Sequence, residues 1–312
     1  MVSAAGSVIE LEIAMKQGPD FIIVGAAKCG TTILHQWLKM QDRVFMPDVK
    51  EPHFFCFDGL DAGSVGKQVD PAYAQQMTFN SKDYARLFKR ARQDQLCGEA
   101  SPGYMYYPWA AQAIVDHNPQ TKIICILRDP AHRAYSQFMH HLRDGYESLP
   151  DLGTALIVEE GRIEQGYWWG YHYGKAGFYA DALRRYLDLF GRENVLTLLF
   201  DDLVNEPELV FSLVLNFLGV SCSQTPLFSK RANAASGMPR VPRFPAQANL
   251  AHRNRRLGAL FTRIGLHPAG HMCGKAAPTL EGKTKAKLRE MYRADILATA
   301  SLIERDLSAW LE

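Results

Sequence analysis

The loop after the first apolar run of the chain has the residue types and the spacing of an anion-binding site. The run Phe21–Gly25 leads into AAKCGTT, residues 26–32, and apolar residues then resume at helical spacing. A glycine-containing loop between a strand and a helix presents backbone N–H groups, and the helix N-terminus adds about half a positive charge. Lys28 contributes a full charge, and Thr31 and Thr32 contribute hydroxyl donors. The pattern predicts a loop that binds a phosphate-like group.

The order of residues in this loop restricts which anion it suits. The spacing is G-x-x-K-x-G-T-T, so Lys28 precedes the second glycine. In G-x-x-x-x-G-K-[ST], the loop that binds nucleoside triphosphates with magnesium, the lysine follows the second glycine. The order argues against a nucleoside triphosphate with magnesium as the ligand. A P-loop kinase that acts on a small molecule would need such a ligand, so it is only the alternative interpretation.

A second set of anion donors follows another apolar run, Lys122–Leu127. Arg128 comes directly after the run, and Asp129 and Pro130 then provide a helix N-cap and a first-turn proline. A guanidinium suits a terminal phosphate dianion. Ser136 lies about 12 Å further along the helix at 1.5 Å per residue, so it is placed to donate from the helix flank. These two side chains are predicted to meet one phosphate.

Short apolar runs that alternate with amphipathic stretches indicate an α/β fold. The predicted strands are Phe21–Gly25, Leu96–Glu99, Lys122–Leu127 and Val195–Phe200. The predicted helices are Thr31–Lys39, Lys82–Ala91, Trp109–Asp116, Pro130–Arg143 and Ala176–Phe190. We expect a single P-loop-like domain with a central parallel β-sheet flanked by helices on both faces, and with ligands beyond the carboxyl ends of the strands. The predicted organisation is an N-terminal extension (1–18), one domain (19–312), an irregular lid within it (229–282) and a C-terminal helix (283–312).

Composition narrows the class of protein. The chain has 312 residues, 47% of them hydrophobic, and 35 basic against 33 acidic residues leave a net charge of +2. Nothing global favours nucleic acid or a membrane surface as a partner, and no window reaches the length of an apolar spanning helix. The six cysteines form no Cys-x-x-Cys pair. We therefore expect reduced thiols, no metal and a cytoplasmic protein.

Four segments resemble sulfotransferases that use 3′-phosphoadenosine-5′-phosphosulfate (PAPS). PDFIIVGAAKCGTT, residues 19–32, is similar to the family's 5′-phosphosulfate loop, and RDPAHRAYSQF, residues 128–138, resembles its 3′-phosphate motif. KEPHFF, residues 50–55, is similar to the segment that follows the loop in the heparan-sulfate-type and bacterial branches. GEASPGYMY, residues 98–106, resembles the family's E-x-S-P-x-Y segment.

The resemblance implies how the donor is bound. PAPS would be the co-substrate and 3′-phosphoadenosine-5′-phosphate (PAP) the product, with no metal. The loop would hold the phosphosulfate through backbone N–H groups, with Lys28 neutralising the bridging oxygen, and a basic glycine loop near the carboxyl end would close over the nucleotide. The implied cofactor-binding residues are Lys28, Cys29, Gly30, Thr31, Thr32, Arg128, Ser136 and Lys275.

Two residues compete for the role of general base. Glu51 matches the glutamate that has this role in the heparan-sulfate-type enzymes, and Pro52 biases its backbone towards an extended conformation. His53 is the rival, because its ordinary pKa suits the task and cytosolic branches of the family use a histidine. The predicted catalytic residues are therefore Lys28, Glu51 and His53.

An aromatic segment, residues 166–177, is the candidate acceptor site. Aromatic faces stack on rings and attract cations. The predicted acceptor-binding residues are Tyr104, Trp168, Trp169 and Tyr171. Several heparan-sulfate-type enzymes carry a lysine where this chain has Ala100, so we expect a small polar metabolite, with an alkaloid or a glycosylated natural product as candidates, before a glycan. A nucleotide-binding protein without transfer chemistry is the non-enzymatic alternative.

Overall fold

A five-stranded, all-parallel sheet forms the centre of the computed structural model, which describes residues 18–228, 240–241, 275–276 and 278–312. The strand order is β2-β3-β1-β4-β5. The five strands are β1 (Phe21–Gly25), β2 (Val44–Phe45), β3 (Leu96–Ala100), β4 (Lys122–Leu127) and β5 (Val195–Leu199). A separate antiparallel pair consists of β6 (Arg240–Val241) and β7 (Lys275–Ala276).

Helices follow the strands and flank the sheet. In chain order they are α1 (Thr31–Lys39), α2 (Phe54–Phe57), α3 (Pro71–Ala74), α4 (Ser81–Arg86), α5 (Gly103–Tyr106), α6 (Ala110–His117), α7 (Pro130–Asp144), α8 (Leu152–Ile157), α9 (Glu159–Glu164), α10 (Ala180–Phe190), α11 (Phe200–Asn205), α12 (Pro207–Leu218) and α13 (Gly282–Ile303). None of the helices in the described ranges is both long and apolar enough to cross a membrane.

Complete burial explains why the strands read as continuous apolar runs. Every residue of β1 is buried, and so is every residue of β4 after Lys122. In β1, Ile22 pairs with Glu99 on one side and with Ile123 on the other. A sheet covered on both faces requires apolar residues at successive positions. The predicted α/β fold with a parallel sheet is therefore confirmed, whereas β2 was missed because two residues carry no periodic signal.

Two local features fix the helices that begin at the carboxyl edge of the sheet. Gly30, which precedes α1, has a φ of 96°, and a Cβ there would lie 2.6 Å from Leu203, so only glycine suits this position. The Asp129 carboxylate caps α7 by accepting hydrogen bonds from the N–H groups of Ala131 (2.8 Å) and His132 (3.3 Å). Both helix starts are thus held at the same edge.

Several predicted boundaries need correction. Helix α4 ends at Arg86, and the segment before α10 contains a 3₁₀ turn, Lys175–Gly177. The C-terminal helix does not run to residue 312: it ends at Ile303 because Glu304 adopts a left-handed backbone with a φ of 54°. The predicted N-terminal extension and most of the predicted lid, 229–282, lie outside the described residues.

Candidate active site

One cavity of about 560 Å³ opens at the carboxyl edge of the sheet. Its walls include segments that directly follow β1, β3, β4 and β5, in agreement with the general position of ligand sites in parallel sheets. The predicted residues that line it are Lys28, Gly30, Thr31, Thr32, Glu51, Arg128, Ser136, Trp168, Trp169 and Tyr171. The fold therefore brings together residues from four separate stretches of the chain.

The loop after β1 presents the first turn of α1 to the cavity. The N–H groups that begin a helix have no partner within it, so those of Thr31 and Thr32 are suited to donate hydrogen bonds to an anion. Cys29 is a correction: its side chain is fully buried, and its N–H donates to the Ala26 carbonyl at 3.3 Å. Burial also raises the pKa of the Cys29 thiol to about 11. Cys29 therefore shapes the loop from below and does not line the cavity.

Lys28 is in an environment that disfavours its own charge. Burial, and secondly the nearby Arg143 guanidinium, lower the pKa of Lys28 to about 8. The backbone of Lys28 is left-handed, with a φ of 67°, which directs the loop around the anion position. A bound anion would favour the charged form of the ammonium further.

Arg128 and Ser136 approach the cavity from the β4–α7 side. The Arg128 guanidinium lies over the ring of Phe200 at 4.4 Å, and its Nη1 donates to the Lys28 carbonyl at 3.4 Å. Ser136 is buried and lines the same cavity. Sequence reasoning missed Phe200; its position at the end of the last predicted strand, Val195–Phe200, was the available signal. The contact with the Phe200 ring limits where the guanidinium can lie.

Glu51 is held by a strained backbone and by two donors. Its φ is 63°, and its N–H donates to the Ala100 carbonyl at 3.1 Å. Lys50 donates to Oε1, and the Tyr73 hydroxyl donates to Oε2 at 2.5 Å. Burial opposes the charge of Glu51, but Lys50 and the neighbouring His53 side chain together outweigh it and hold the pKa of the carboxyl well below its usual range. Glu51 is therefore ionised at neutral pH.

His53 does not reach the cavity, which corrects its predicted role as a base. Its side chain is fully buried, and its backbone has a φ of 50° that turns the ring into the core. Nε2 lies 2.7 Å from the Tyr73 hydroxyl oxygen, and the His53 N–H donates to Ser101 Oγ at 3.1 Å. Tyr73, which the sequence did not single out, lies between this histidine and Glu51.

Of the four predicted acceptor-binding residues, three line the cavity and one does not. Trp168, Trp169 and Tyr171 line the cavity. Tyr104 is wrong as an acceptor-binding residue: it is only 1% exposed, and its hydroxyl donates to the buried Glu99 carboxylate at 3.1 Å. The helical turn that follows β3 directs this ring into the core.

Charges at the aromatic end of the cavity are already paired. The Arg143 guanidinium makes two hydrogen bonds to the Asp144 carboxylate, at 2.6 and 2.8 Å. The Tyr146 hydroxyl donates to the Asp70 carboxylate, and the Lys50 ammonium donates to Oε1 of Glu51. Lys50 and Arg143 are thus each paired with a neighbouring carboxylate.

The remaining predictions concern Lys275 and metal ions. The side chain of Lys275 lies outside the described residues; only its backbone is described, paired with Val241. Among the residues that the structure describes, no group of three His, Cys, Asp or Glu side chains is arranged to hold a metal ion.

Comparisons with known proteins agree with this geometry. The family described as "Sulfotransferase domain" matches residues 18–235. The human heparan sulfate glucosamine 3-O-sulfotransferase 3A1 is 25% identical over 288 residues, which cover 91% of this chain and 60% of the relative. The mouse 3-O-sulfotransferase 6 is 28% identical over 206 residues, 65% of this chain and 52% of the relative. The chain thus spans between about half and three fifths of these relatives.

A solved structure extends the similarity to the whole fold. The crystal structure of a sulfotransferase from Alicyclobacillus acidocaldarius is 31% identical, with a TM-score of 0.72, and the match covers 94% of this chain and 99% of that one. The family match includes all five strands of the sheet and the described residues of the cavity. The chain belongs to the sulfotransferase domain family.

Proposed function

We propose that this protein transfers the sulfuryl group of PAPS to a hydroxyl or amino group of a small polar acceptor. The observation that carries the proposal is that one cavity contains a helix-start anion loop with Lys28, the pair Arg128 and Ser136, and an ionised Glu51. The first set suits a phosphosulfate, the second a terminal phosphate, and the third an acceptor proton.

The chemistry requires charge neutralisation and one proton acceptor. The acceptor oxygen or nitrogen forms a bond to sulfur while the bond between sulfur and the bridging oxygen breaks, and the electron pair of that bond leaves on the 5′-phosphate of PAP. Lys28 and the N–H groups of Thr31 and Thr32 neutralise the developing charge. Glu51 takes the proton that the acceptor loses.

The acceptor end of the cavity favours a neutral or cationic ring compound. Its walls include Trp168, Trp169 and Tyr171, and Lys50 and Arg143, two of the cations that line the cavity, are engaged by Glu51 and Asp144. A polyanionic glycan would have to displace those carboxylates. The heparan sulfate enzymes among the relatives keep a glycan as the alternative, and we place a natural-product or alkaloid acceptor first. The free thiols among the described cysteines support the accompanying proposal of a cytoplasmic enzyme.

A thermal-shift panel of PAP, AMP and ATP with magnesium tests donor binding. PAP at 100 times its Kd is expected to stabilise the fold by about 2.7 kcal/mol, and AMP by much less because it lacks the 3′-phosphate. Stabilisation by ATP with magnesium alone would instead support the kinase alternative. Transfer of labelled sulfate from PAPS to phenols, aromatic amines, monosaccharides and unsulfated heparosan then identifies the acceptor class.

The affinity for PAP is expected to fall as the pH rises above about 8. The pKa of Lys28 is lowered to about 8 in the free protein, so its charged form is fully present well below pH 8 and is lost above it. A bound anion favours the charged form, so the affinity falls by up to about tenfold per pH unit until the raised pKa of the complex is reached. Calorimetric titrations between pH 7 and 9.5 measure the slope. Lys28→Arg, which keeps its charge, should show a flat profile; an equal slope in both proteins would contradict the assignment.

A further inference from the structure

Tyr73 is the described residue that links the candidate base to the interior of the protein. It lies on α3, where its N–H donates to the Asp70 carboxylate at 3.3 Å, and its ring lies 5.2 Å from that of Trp168. Its hydroxyl contacts both Glu51 Oε2 and His53 Nε2. A phenol has one hydrogen, so it can donate to only one of these two partners.

The direction of this chain of hydrogen bonds follows from the charges. Glu51 is ionised and accepts only, so the Tyr73 hydrogen lies on the side of Oε2. The phenol oxygen must then accept a hydrogen from Nε2 of His53. Burial and the Glu51 carboxylate raise the pKa of Tyr73 well above its usual value, so the hydroxyl keeps its hydrogen across the working pH range. The direction His53 to Tyr73 to Glu51 is therefore fixed, with the ring hydrogen of His53 on Nε2.

We propose that Tyr73, held by His53, is a positioning residue that occupies Oε2 of Glu51 and leaves Oε1 as the oxygen that receives the acceptor's proton. The inference rests on the proposed function, because it assigns a task to a neighbour of the base. Lys50 shares Oε1, but its ammonium is on a flexible stem and lines the same cavity as the anion loop. An anionic donor bound there offers Lys50 a competing partner. Tyr73 lines the cavity as well, but its hydroxyl is also held from inside the protein by His53 Nε2.

The Glu51 carboxylate needs a hydrogen-bond partner such as Tyr73 to keep its position. Glu51 and His53 both adopt left-handed backbone conformations, which are unfavourable for residues with a side chain. Hydrogen bonds from Glu51 N–H to Ala100 and from Thr78 N–H to the Pro52 carbonyl (2.8 Å) hold the backbone. They do not fix the rotation of the carboxyl group, and only the two donors on its oxygens do so.

The kinetic test compares the wild type with Tyr73→Phe and with the control Tyr186→Phe, using PAPS as donor and water as acceptor. Tyr186→Phe also removes one buried hydroxyl, which donates to the Tyr104 carbonyl at 3.0 Å. Tyr186 does not line the cavity. Release of labelled sulfate is expected to be about 10- to 100-fold slower in Tyr73→Phe, because the reacting oxygen is no longer fixed. The Kd for PAP should be unchanged in both variants, and Tyr186→Phe should turn over at the wild-type rate.

Equal rates in Tyr73→Phe and the wild type would overturn the inference, and so would a wild-type rate no faster than the uncatalysed one. PAP stabilisation measured on the same samples shows whether donor binding, and with it the proposed function, fails separately. NMR of the protein labelled with ¹⁵N-histidine provides a readout without turnover, with His53→Gln for assignment. A hydrogen-bonded proton on Nε2 of His53 is expected in the wild type and its loss in Tyr73→Phe; a wild-type ring with its proton on Nδ1 and none on Nε2 would overturn the chain.

Discussion

Replacing Glu51 by glutamine is expected to lower the rate of sulfuryl transfer by about 10²- to 10⁴-fold, which is the usual contribution of a positioned general base. The amide has the shape of the carboxyl group and still accepts the hydrogen bond from Tyr73, but it cannot take a proton. The Kd for PAP should change little, because the donor contacts lie on the Lys28 loop and on Arg128. Single-turnover transfer of labelled sulfate to the acceptor panel, together with calorimetry for PAP, separates the two quantities.

Glu208→Gln on α12 is the matched control for this prediction, since Glu208 is exposed and does not line the cavity. It should transfer sulfate at the wild-type rate. If Glu51→Gln retained its activity, the base would have to be another group in the cavity. His140 would then be the residue to replace, because it lines the cavity and burial lowers its pKa to about 4, which leaves it neutral.

Replacing Arg128 by methionine should weaken PAP binding by about 100-fold or more while leaving AMP binding almost unchanged. A guanidinium that makes two charge-assisted hydrogen bonds to one phosphate contributes about 1.5–3 kcal/mol for each bond. AMP has no 3′-phosphate and therefore loses none of this. Methionine keeps an apolar stem over the Phe200 ring, so the loss is electrostatic. Isothermal titrations with PAP and AMP give the ratio of the two affinities.

Two further variants make this result specific. Arg128→Lys keeps the charge but not the planar fork and should bind PAP with intermediate affinity. Arg184→Met removes an exposed arginine of α10, paired with Asp181, and should bind as the wild type does. Equal losses for PAP and AMP in Arg128→Met would show that Arg128 contacts a phosphate common to both nucleotides, against the assignment made above.

The sequence was most informative where burial dictates residue type. The bounds of β1 and β4 were predicted to the residue, because a strand covered on both faces is apolar throughout. The start of α7 was predicted from its capping aspartate and first-turn proline. Irregular connections gave no such signal: the 3₁₀ turn Lys175–Gly177 has helical spacing in the sequence but is separate from α10.

The same contrast between regular and irregular segments decided which residues of the site could be predicted. Lys28 and Arg128 directly follow predicted strands, so topology alone placed them at one edge of the sheet. Tyr73 reaches Glu51 from a helix of only four residues, and that contact joins residues 22 positions apart without any periodic pattern. The His53 ring points inward because the backbone of His53 is left-handed, and no glycine beside it in the sequence indicates such a conformation. Such contacts belong to the tertiary structure and could not be read from spacing.

The burial of Cys29 is expected to make the loop after β1 resistant to oxidising and alkylating reagents. A thiol reacts with peroxide or alkylating reagents as the thiolate, and burial that raises the pKa of Cys29 to about 11 leaves almost none of that form at neutral pH. Cys125 is similarly protected by a pKa of about 12. An exposed, low-pKa cysteine in an anion loop could serve as a redox sensor. Cys29 is instead a buried core residue, and we expect the anion loop to resist oxidation.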